Sequence, residues 1–339
     1  MSREELQLRI ANEDFRRITL SFYRYVRIAD PETMRNELFL RWDKLNCLGR
    51  IYLAAEGINA QMSVPVHHRD IFFTELNTLP EFKDMPVKLA LEDDGRSFIK
   101  LTIKVKDKIV ADGLKDGDFD VTNVGTHLSA LEFHKLVDDP DTVVVDMRNH
   151  YESEIGHFTG AILPQSNTFR EELELVKEEL KPYSNKKLLL YCTGGIRCEK
   201  ASAYLKHNGF KDVNQLHGGI IEYVRQVKSN GLQSKFIGKN FVFDNRLGER
   251  VSDRIISTCH QCGKPCDNHT NCANQTCHIL FIQCDECREK FGGCCSDSCH
   301  EVINDDRKLK VFREKHPFTG KRWMKKTGME DLKIIRSSF

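Results

Sequence analysis

Leu188-Leu189-Leu190-Tyr191-Cys192-Thr193-Gly194-Gly195-Ile196-Arg197-Cys198-Glu199-Lys200-Ala201-Ser202 is the stretch that decides how this chain is read. An apolar run ends at a cysteine, two glycines turn the backbone, an arginine follows, and helical spacing begins at once. The pattern predicts a strand-to-helix turn wrapped around a thiol. Glycines let the amides of the turn point inward as an anion-binding nest, and the start of the next helix adds its own free N–H groups. A cysteine facing those groups and a guanidinium has a depressed pKa and is a thiolate near neutral pH. A lone intracellular cysteine is more often an inert packing residue; the glycine cradle and the arginine reverse that expectation. Cys192 is therefore the candidate nucleophile and Arg197 its cation, with Thr193, Gly194, Gly195 and Ile196 as the anion cradle.

Spacing narrows the chemistry. Four residues separate Cys192 from Arg197, one fewer than in cysteine phosphatases, whose loop wraps a phosphoryl group, and the smaller cradle suits sulfur. On these residues the segment resembles the active loop of a rhodanese (sulfurtransferase) domain. Two further motifs follow that likeness in order. Val143-Val144-Val145-Asp146-Met147-Arg148, then Glu154 to Ile162, resembles the first buried strand and its Gly-His…Gly-Ala turn; Leu216-His217-Gly218-Gly219-Ile220 resembles the closing strand. Asp146 and Arg148 are expected to form a structural ion pair under the loop, and His157 and His217 to satisfy backbone groups. Cys198 is read as a packing residue, with resolution of a persulfide or sulfenic acid on Cys192 as its alternative role. Thr193 stands where many sulfurtransferases carry a second arginine, which predicts weak activity towards thiosulfate.

The rest of the chain adds flanking units. At 339 residues it should hold two or three domains. Ile18 to Val26 alternates as a strand, Pro31 to Leu45 has helical spacing, and Gly49 to Ala55 and Ile58 to Ser63 are strands about a Glu56-Gly57 turn. His67 to Leu79 follows as a helix and Ser97 to Val105 as a last extended segment. That order, βαββαβ, is ferredoxin-like (acylphosphatase-like) and is assigned to residues 1–115. The segment from Asp107 to Thr126 reads as a surface link, residues 126–230 as the rhodanese-like parallel α/β domain, and Phe241 to Arg246 as a short strand leading onward. The fold class is thus multidomain α/β. A formal charge of +1 argues against a uniformly nucleic-acid-coating protein. No apolar run approaches the ~20 residues of a membrane span, and Met1-Ser2-Arg3-Glu4-Glu5 lacks the apolar core of a signal peptide; a cytoplasmic protein is expected. No repeat or low-complexity tract is found.

Thirteen cysteines are distributed unevenly, ten of them between Cys259 and Cys299. In a reducing compartment that density indicates metal binding or redox chemistry. Cys259, Cys262, Cys266, Cys272, Cys277, Cys284, Cys287, Cys294, Cys295 and Cys299, in a small segment over 240–305, could complete up to two four-ligand zinc sites. The knuckles Cys259/Cys262 and Cys284/Cys287 are the surest ligands, while His260, His269, His278 and His300 are each read as solvated or capping. Thiolate spacing alone does not separate zinc from an iron–sulfur cluster. Residues 306–339 form a basic tail: from Arg307 onward eleven Lys and Arg stand against three Asp and Glu, with Phe312, Phe318 and Trp323 among them. Such a tail suits phosphates and unpaired bases as readily as it suits plain solvation.

Taken together, the ferredoxin-like front, the loop from Tyr191 to Ser202 and the run from Cys259 to Cys299 are similar to the bacterial tRNA uridine-34 hydroxylases, from about Phe22 to Cys299. The resemblance implies oxygen-dependent formation of 5-hydroxyuridine at the wobble position, with molecular oxygen as cosubstrate and the tRNA anticodon region as partner. Cys192 would then add to uracil C6, with Arg197 and the loop amides stabilising the developing oxyanion, or carry a persulfide as the rhodanese likeness suggests. No flavin or nicotinamide fingerprint and no iron-binding triad stands out. A persulfide relay fed by a sulfur-donor protein and a noncatalytic zinc-stabilised tRNA-binding adaptor remain as alternatives.

Overall fold

The computed structural model describes residues 2–91, 97–115, 118–303, 305, 309–310 and 322–323. It opens with helix α1 (Arg3–Ala11), begun by a capping box in which Ser2 and Glu5 exchange hydrogen bonds. No apolar stripe announces α1; the box is its mark in the sequence. A five-stranded sheet follows from β1 (Arg17–Tyr25), α2 (Pro31–Lys44), β2 (Leu48–Ala54), β3 (Gly57–Pro65), α3 (Arg69–Thr78), β4 (Val87–Leu89) and β5 (Leu101–Val105), in the order β4-β1-β3-β2-β5. Asp30 starts α2 by accepting from the N–H groups of Glu32 and Thr33, with Pro31 in the first helical position.

The strand expected to close this unit, Ser97 to Val105, does not do so. β4 closes it, antiparallel to β1, and β5 is an added edge strand parallel to β2. Three residues after Pro86 are too few to display a period, which conceals β4 in the sequence. Alternation gives the sheet two unlike faces. Leu20, Phe22, Ile51, Leu53, Ile58 and Ala60 pack under Leu38 and Trp42 of α2 and Phe72 and Leu76 of α3. Ser21, Tyr23, Arg50, Tyr52, Asn59 and Gln61 occupy the other face and turn towards the second unit.

That second unit comprises β6 (Thr126–Leu128), α4 (Ala130–Leu136), β7 (Thr142–Asp146), α5 (His150–Ser153), β8 (Gly156–Phe158), α6 (Phe169–Glu179), β9 (Lys187–Tyr191), α7 (Ile196–His207), β10 (Asp212–Leu216) and α8 (Gly219–Ser229). Its parallel sheet runs β6-β10-β9-β7. Central strand β9 is apolar from Leu188 onward because both its faces are covered: Leu188 and Leu190 join α6 and α7, and Leu189 and Tyr191 join α4 and α8.

The cysteine-rich part is stitched to this unit by β11 (Phe236–Asn240), which pairs antiparallel with β8. β12 (Glu249–Arg250), β13 (His269–Asn271), β14 (Ile279–Ile282), α9 (Asp285–Lys290), α10 (Asp297–Ile303) and β15 (Arg322–Trp323) complete the described elements. The strand expected over Phe241 to Arg246 lies instead at β11, five residues earlier. Asp244 bends the chain after it, accepting from the Arg246 N–H at 2.9 Å and pairing with its guanidinium at 2.5 Å. The basic tail, apart from 309–310 and 322–323, falls outside the described residues. Among the described residues no helix is long and apolar enough to cross a membrane.

The expected surface link is partly buried. Ile109 and Asp112 are 3% and 2% exposed, because Lys200 of α7, itself buried, binds Asp112 at 2.7 Å, Glu56 at 3.0 Å and the Val110 carbonyl at 3.2 Å. One ammonium thus clamps the first sheet, the link and the second unit together. Replacing it would leave the Asp112 carboxylate buried beside Lys108 alone. Lys200→Met should lower unfolding stability by about 3 kcal/mol in urea denaturation and open the 107–126 segment to protease; unchanged stability and resistance would contradict the clamp.

Candidate active site and metal centres

Cys192 directly follows β9 and is 1% exposed. The Gly195 N–H donates to its sulfur at 3.1 Å, which requires Gly195 to adopt φ +100°. A Cβ there would also lie 2.7 Å from the Tyr23 hydroxyl, so the glycine lets the loop close against the N-terminal sheet. From below, the first turn of α8 fastens the loop: Ile220 and Ile221 donate to the carbonyls of Cys192 and Thr193 at 3.0 and 3.3 Å. Gly219 makes that approach possible, since a Cβ on it would meet both carbonyl oxygens at 2.6 Å.

Burial pushes the Cys192 thiol up, but the Cys198 thiol, the Arg197 charge and the N–H groups of Cys198 and Arg197 outweigh it and bring the pKa to about 6. Cys198 is fully buried, packs in the same core, and is driven well above its ordinary value by burial and by Cys192. Arg197 does not offer its fork to the loop. Both terminal nitrogens are held by Glu152 at 2.6 and 2.8 Å, so it acts on the sulfur through its charge. Glu152 also accepts from the Asn149 N–H at 3.2 Å at the start of α5; nothing near Arg197 in the sequence marks the tie between Glu152 and Arg197. Asp146 and Arg148, both fully buried, form a two-point pair at 2.8 and 2.6 Å, and the Tyr191 hydroxyl donates to the same carboxylate. Below the loop, Glu172 is buried with both carboxylate oxygens unpartnered among the described residues, and burial raises its pKa well above the usual range. His157 Nδ1 meets the Ser153 carbonyl at 2.9 Å, while the His217 ring packs against His127.

Above Cys192 lies a cavity of about 360 Å³. Its floor is Cys192, Thr193, Gly194 and Ile196, its roof the polar face of the N-terminal sheet, and one wall is the Val242 to Arg246 bend. Lys88 of the concealed strand β4 lines it too. It is 8% exposed, with Nζ 4.6 Å from the Tyr23 ring centroid, and has no ion pair among the described residues. Burial lowers its pKa, opposed by Cys192, Glu222 and Glu199. The arginine missing at Thr193 is thus answered by a lysine from another domain, which the spacing of the loop could not reveal.

Eight of the ten clustered cysteines form two groups, Cys259/Cys262/Cys284/Cys287 and Cys272/Cys277/Cys295/Cys299, with all sulfurs in each within 4.8 Å of one another. Sulfur separations of 3.6 Å (Cys262–Cys284), 3.7 Å (Cys277–Cys295) and 3.8 Å (Cys295–Cys299) match the ~3.8 Å edge of a tetrahedron with 2.3 Å metal–sulfur bonds. The donor set therefore fits two tetrahedral zinc ions. Cys266 and Cys294, expected among the ligands, stand outside both groups; of the adjacent Cys294 and Cys295, only Cys295 belongs to the mutually close set, while Cys294 reaches Cys272 alone of that set. None of the four nearby histidines joins either group. His260 instead pairs with Glu154 at 2.9 Å, tying the first group to the second unit.

Comparison with known proteins matches this arrangement piece by piece. Family models for the UPF0176 acylphosphatase like domain, the rhodanese-like domain and the rhodanase C-terminal region match residues 17–109, 129–226 and 237–300. A Leptospira interrogans protein named tRNA uridine(34) hydroxylase is 59% identical over 89% of this chain and 82% of its own length. The chain belongs to the tRNA uridine(34) hydroxylase family. An Escherichia fergusonii member of that family is 52% identical over 93% of this chain and 91% of its own. Among solved structures, an Anabaena rhodanese-like domain matches 34% of this chain and 80% of its own at 18% identity, with a TM-score of 0.27.

Two outcomes are expected of the site. Iodoacetamide alkylation of Cys192 should rise through pH 6 and level off by about pH 7.5, because a thiol of pKa about 6 is then fully ionised; a midpoint near the ordinary thiol value would contradict the cradle. Elemental analysis should find two zinc ions per chain, one lost in Cys262→Ser, the other in Cys277→Ser, and neither in Cys266→Ser; retention of both ions in either ligand variant would contradict the grouping.

Proposed function

We propose that the chain hydroxylates uridine 34 of tRNA at C5, with the Cys192 thiolate as nucleophile and molecular oxygen as the source of the added atom. The observation that carries this reading is an ionised cysteine on the floor of a cavity roofed by a polar, aromatic sheet face, in a chain of the tRNA uridine(34) hydroxylase family. Uracil C5 is a weak nucleophile. Addition of the thiolate forms an S–C6 bond and moves the C5=C6 pair onto C5 and O4 as an enolate; C5 takes up O2 as a hydroperoxide, and two equivalents of an external thiol reduce this to the C5 alcohol and water, leaving as a disulfide. Loss of the C5 proton and departure of the thiolate then restore the double bond, with a hydroxyl where hydrogen stood.

This chain's residues supply the setting for that step. The Gly195 N–H holds the sulfur in place, and Arg197, fixed by Glu152, favours the anion before and after transfer. The buried Asp146–Arg148 pair holds the strand ends beneath. The anticodon region is the RNA partner, the basic tail adds phosphate contacts, and the site of action is the cytoplasm, where tRNA is found. The two cysteine groups hold structural zinc, which fastens the segment carrying Phe243 and Arg246 to the cavity wall.

A second reading is a persulfide relay, with Cys192 loaded by a sulfur-donor protein. The Cys198 thiol beside the Cys192 sulfur favours it, because a neighbouring thiol can resolve a persulfide as a disulfide. The readings separate cleanly. Cells lacking the protein should lose 5-hydroxyuridine derivatives from tRNA, regain them with the native gene, and fail to regain them with Cys192→Ser. Nucleoside mass spectrometry under ¹⁸O₂ should find the label in the new hydroxyl. Label from water, or full rescue by Cys192→Ser, would contradict the proposal.

A further inference from the structure

Strand register places three polar side chains in one line across the cavity roof. Ser21 of β1 pairs with Gln61 of β3 on one side and with Lys88 of β4 on the other. Neighbouring strands lie ~4.8 Å apart and side chains at paired positions share a face, so Lys88, Ser21 and Gln61 form a continuous row, and all three line the cavity with Cys192. Both ends of the row lean the same way. Lys88 Nζ sits over the Tyr23 ring and Gln61 Nε2 donates to Asn59 Oδ1 at 3.0 Å. Tyr23 and Asn59 are themselves directly paired. The lysine and the amide therefore converge over adjacent positions, beside the point where Tyr23 touches the Cys192 loop.

The polarity of the amide is fixed by the backbone. The Ile109 carbonyl can only accept, so Asn59 must present Nδ2 to it, at 3.3 Å. Asn59 Oδ1 then faces Gln61 and must accept, so Gln61 turns Nε2 towards it. That leaves Gln61 Oε1 as an acceptor on the cavity side, with no partner among the described residues. An acceptor beside an ammonium is the complement of a donor beside a carbonyl oxygen. Uracil offers that pair on its Watson–Crick edge as N3–H and O4; cytosine presents an acceptor and an amino group in the same places and is mismatched at both.

We propose that this row reads the target base, Gln61 Oε1 accepting N3–H and Lys88 Nζ donating to O4. The assignment rests on the reading of Cys192 as the nucleophile towards uracil. It makes the N-terminal domain the source of base specificity, and it puts the lysine at the oxygen that becomes negative when sulfur bonds to C6, so Lys88 serves the reaction as well as recognition.

The test uses the full chain and an anticodon stem-loop RNA carrying either uridine or 3-methyluridine at position 34, the methyl group replacing the N3–H and leaving O4 in place. The native protein should bind uridine at least about tenfold more tightly, the usual scale for a buried acceptor left unpaired. In Gln61→Met and Gln61→Ala that ratio should fall to near one. Lys88→Met should weaken both RNAs alike and leave the ratio intact, and Lys88→Arg should restore binding. A native circular dichroism spectrum and thermal unfolding midpoint in the free variants verify their fold. Failure of the native protein to discriminate, or discrimination retained in the Gln61 variants, overturns the assignment. Protection of Cys192 from iodoacetamide by the uridine RNA separates this from the underlying reading: without protection both fall, and with protection only the row is refuted.

Discussion

A buried anion must be compensated, and the arrangement of this protein follows from compensating one at Cys192. The sulfur is removed from water, which alone would keep it protonated. The Cys198 thiol, the Arg197 guanidinium and the backbone N–H groups of Cys198 and Arg197 reverse that preference. The guanidinium is itself buried and has to be held, which Glu152 does with both oxygens; Glu152 in turn accepts from the Asn149 N–H at the start of α5. Cys192, Arg197 and Glu152 are thus compensated in turn, in a chain that runs from the loop back to the ends of β7 and β9, where the Asp146–Arg148 pair lies. Glu172 fits the same logic: without a partner among the described residues, its pKa is pushed well above the usual carboxylate range by burial, with the nearby Asp146, Glu152 and Cys192 adding to the rise and Arg197 opposing it.

The loop alone would be an open cradle. It becomes a cavity because the N-terminal sheet hides its aliphatic face under two helices and brings its polar face down on the thiol. Lys200 clamps the sheet, the link and α7 at one place, Tyr23 meets Gly195 at another, and the bend at Asp244 to Arg246 closes a wall from the C-terminal side. Three stretches far apart in sequence therefore share one site, and the cysteine groups matter to it through the segment they hold against the second unit by His260 and Glu154.

What could be read in the sequence follows from how local each signal is. Cys192, its glycines and Arg197 sit within one turn, and the loop and the βαββα run were legible from period and spacing, whereas the parallel unit was expected from motifs that resemble a rhodanese domain. Two C-x-x-C knuckles were equally clear, and they do share a group. The signals that failed depend on distant partners. β4 is three residues long and exists because β1 offers it an edge, so Lys88 could not be placed from its neighbours. Val110 and Asp112 sit in a stretch rich in glycine, aspartate and lysine that reads as surface, yet Lys200, far along the chain, buries it. Likewise, nothing near Arg197 in sequence says that Glu152 occupies its fork, or that Cys266 and Cys294 fall outside the metal groups.

The central claim is that the Cys192 thiolate adds to C6 of a uracil held in the cavity. Such addition makes C5 basic, so in D₂O without oxygen C5 should be protonated and released again, exchanging its hydrogen for deuterium. Nucleoside mass spectrometry of tRNA incubated anaerobically with the native protein should find deuterium at C5 of uridine 34, and none with Cys192→Ser. Absence of exchange with the native protein, or equal exchange with the variant, would contradict the account.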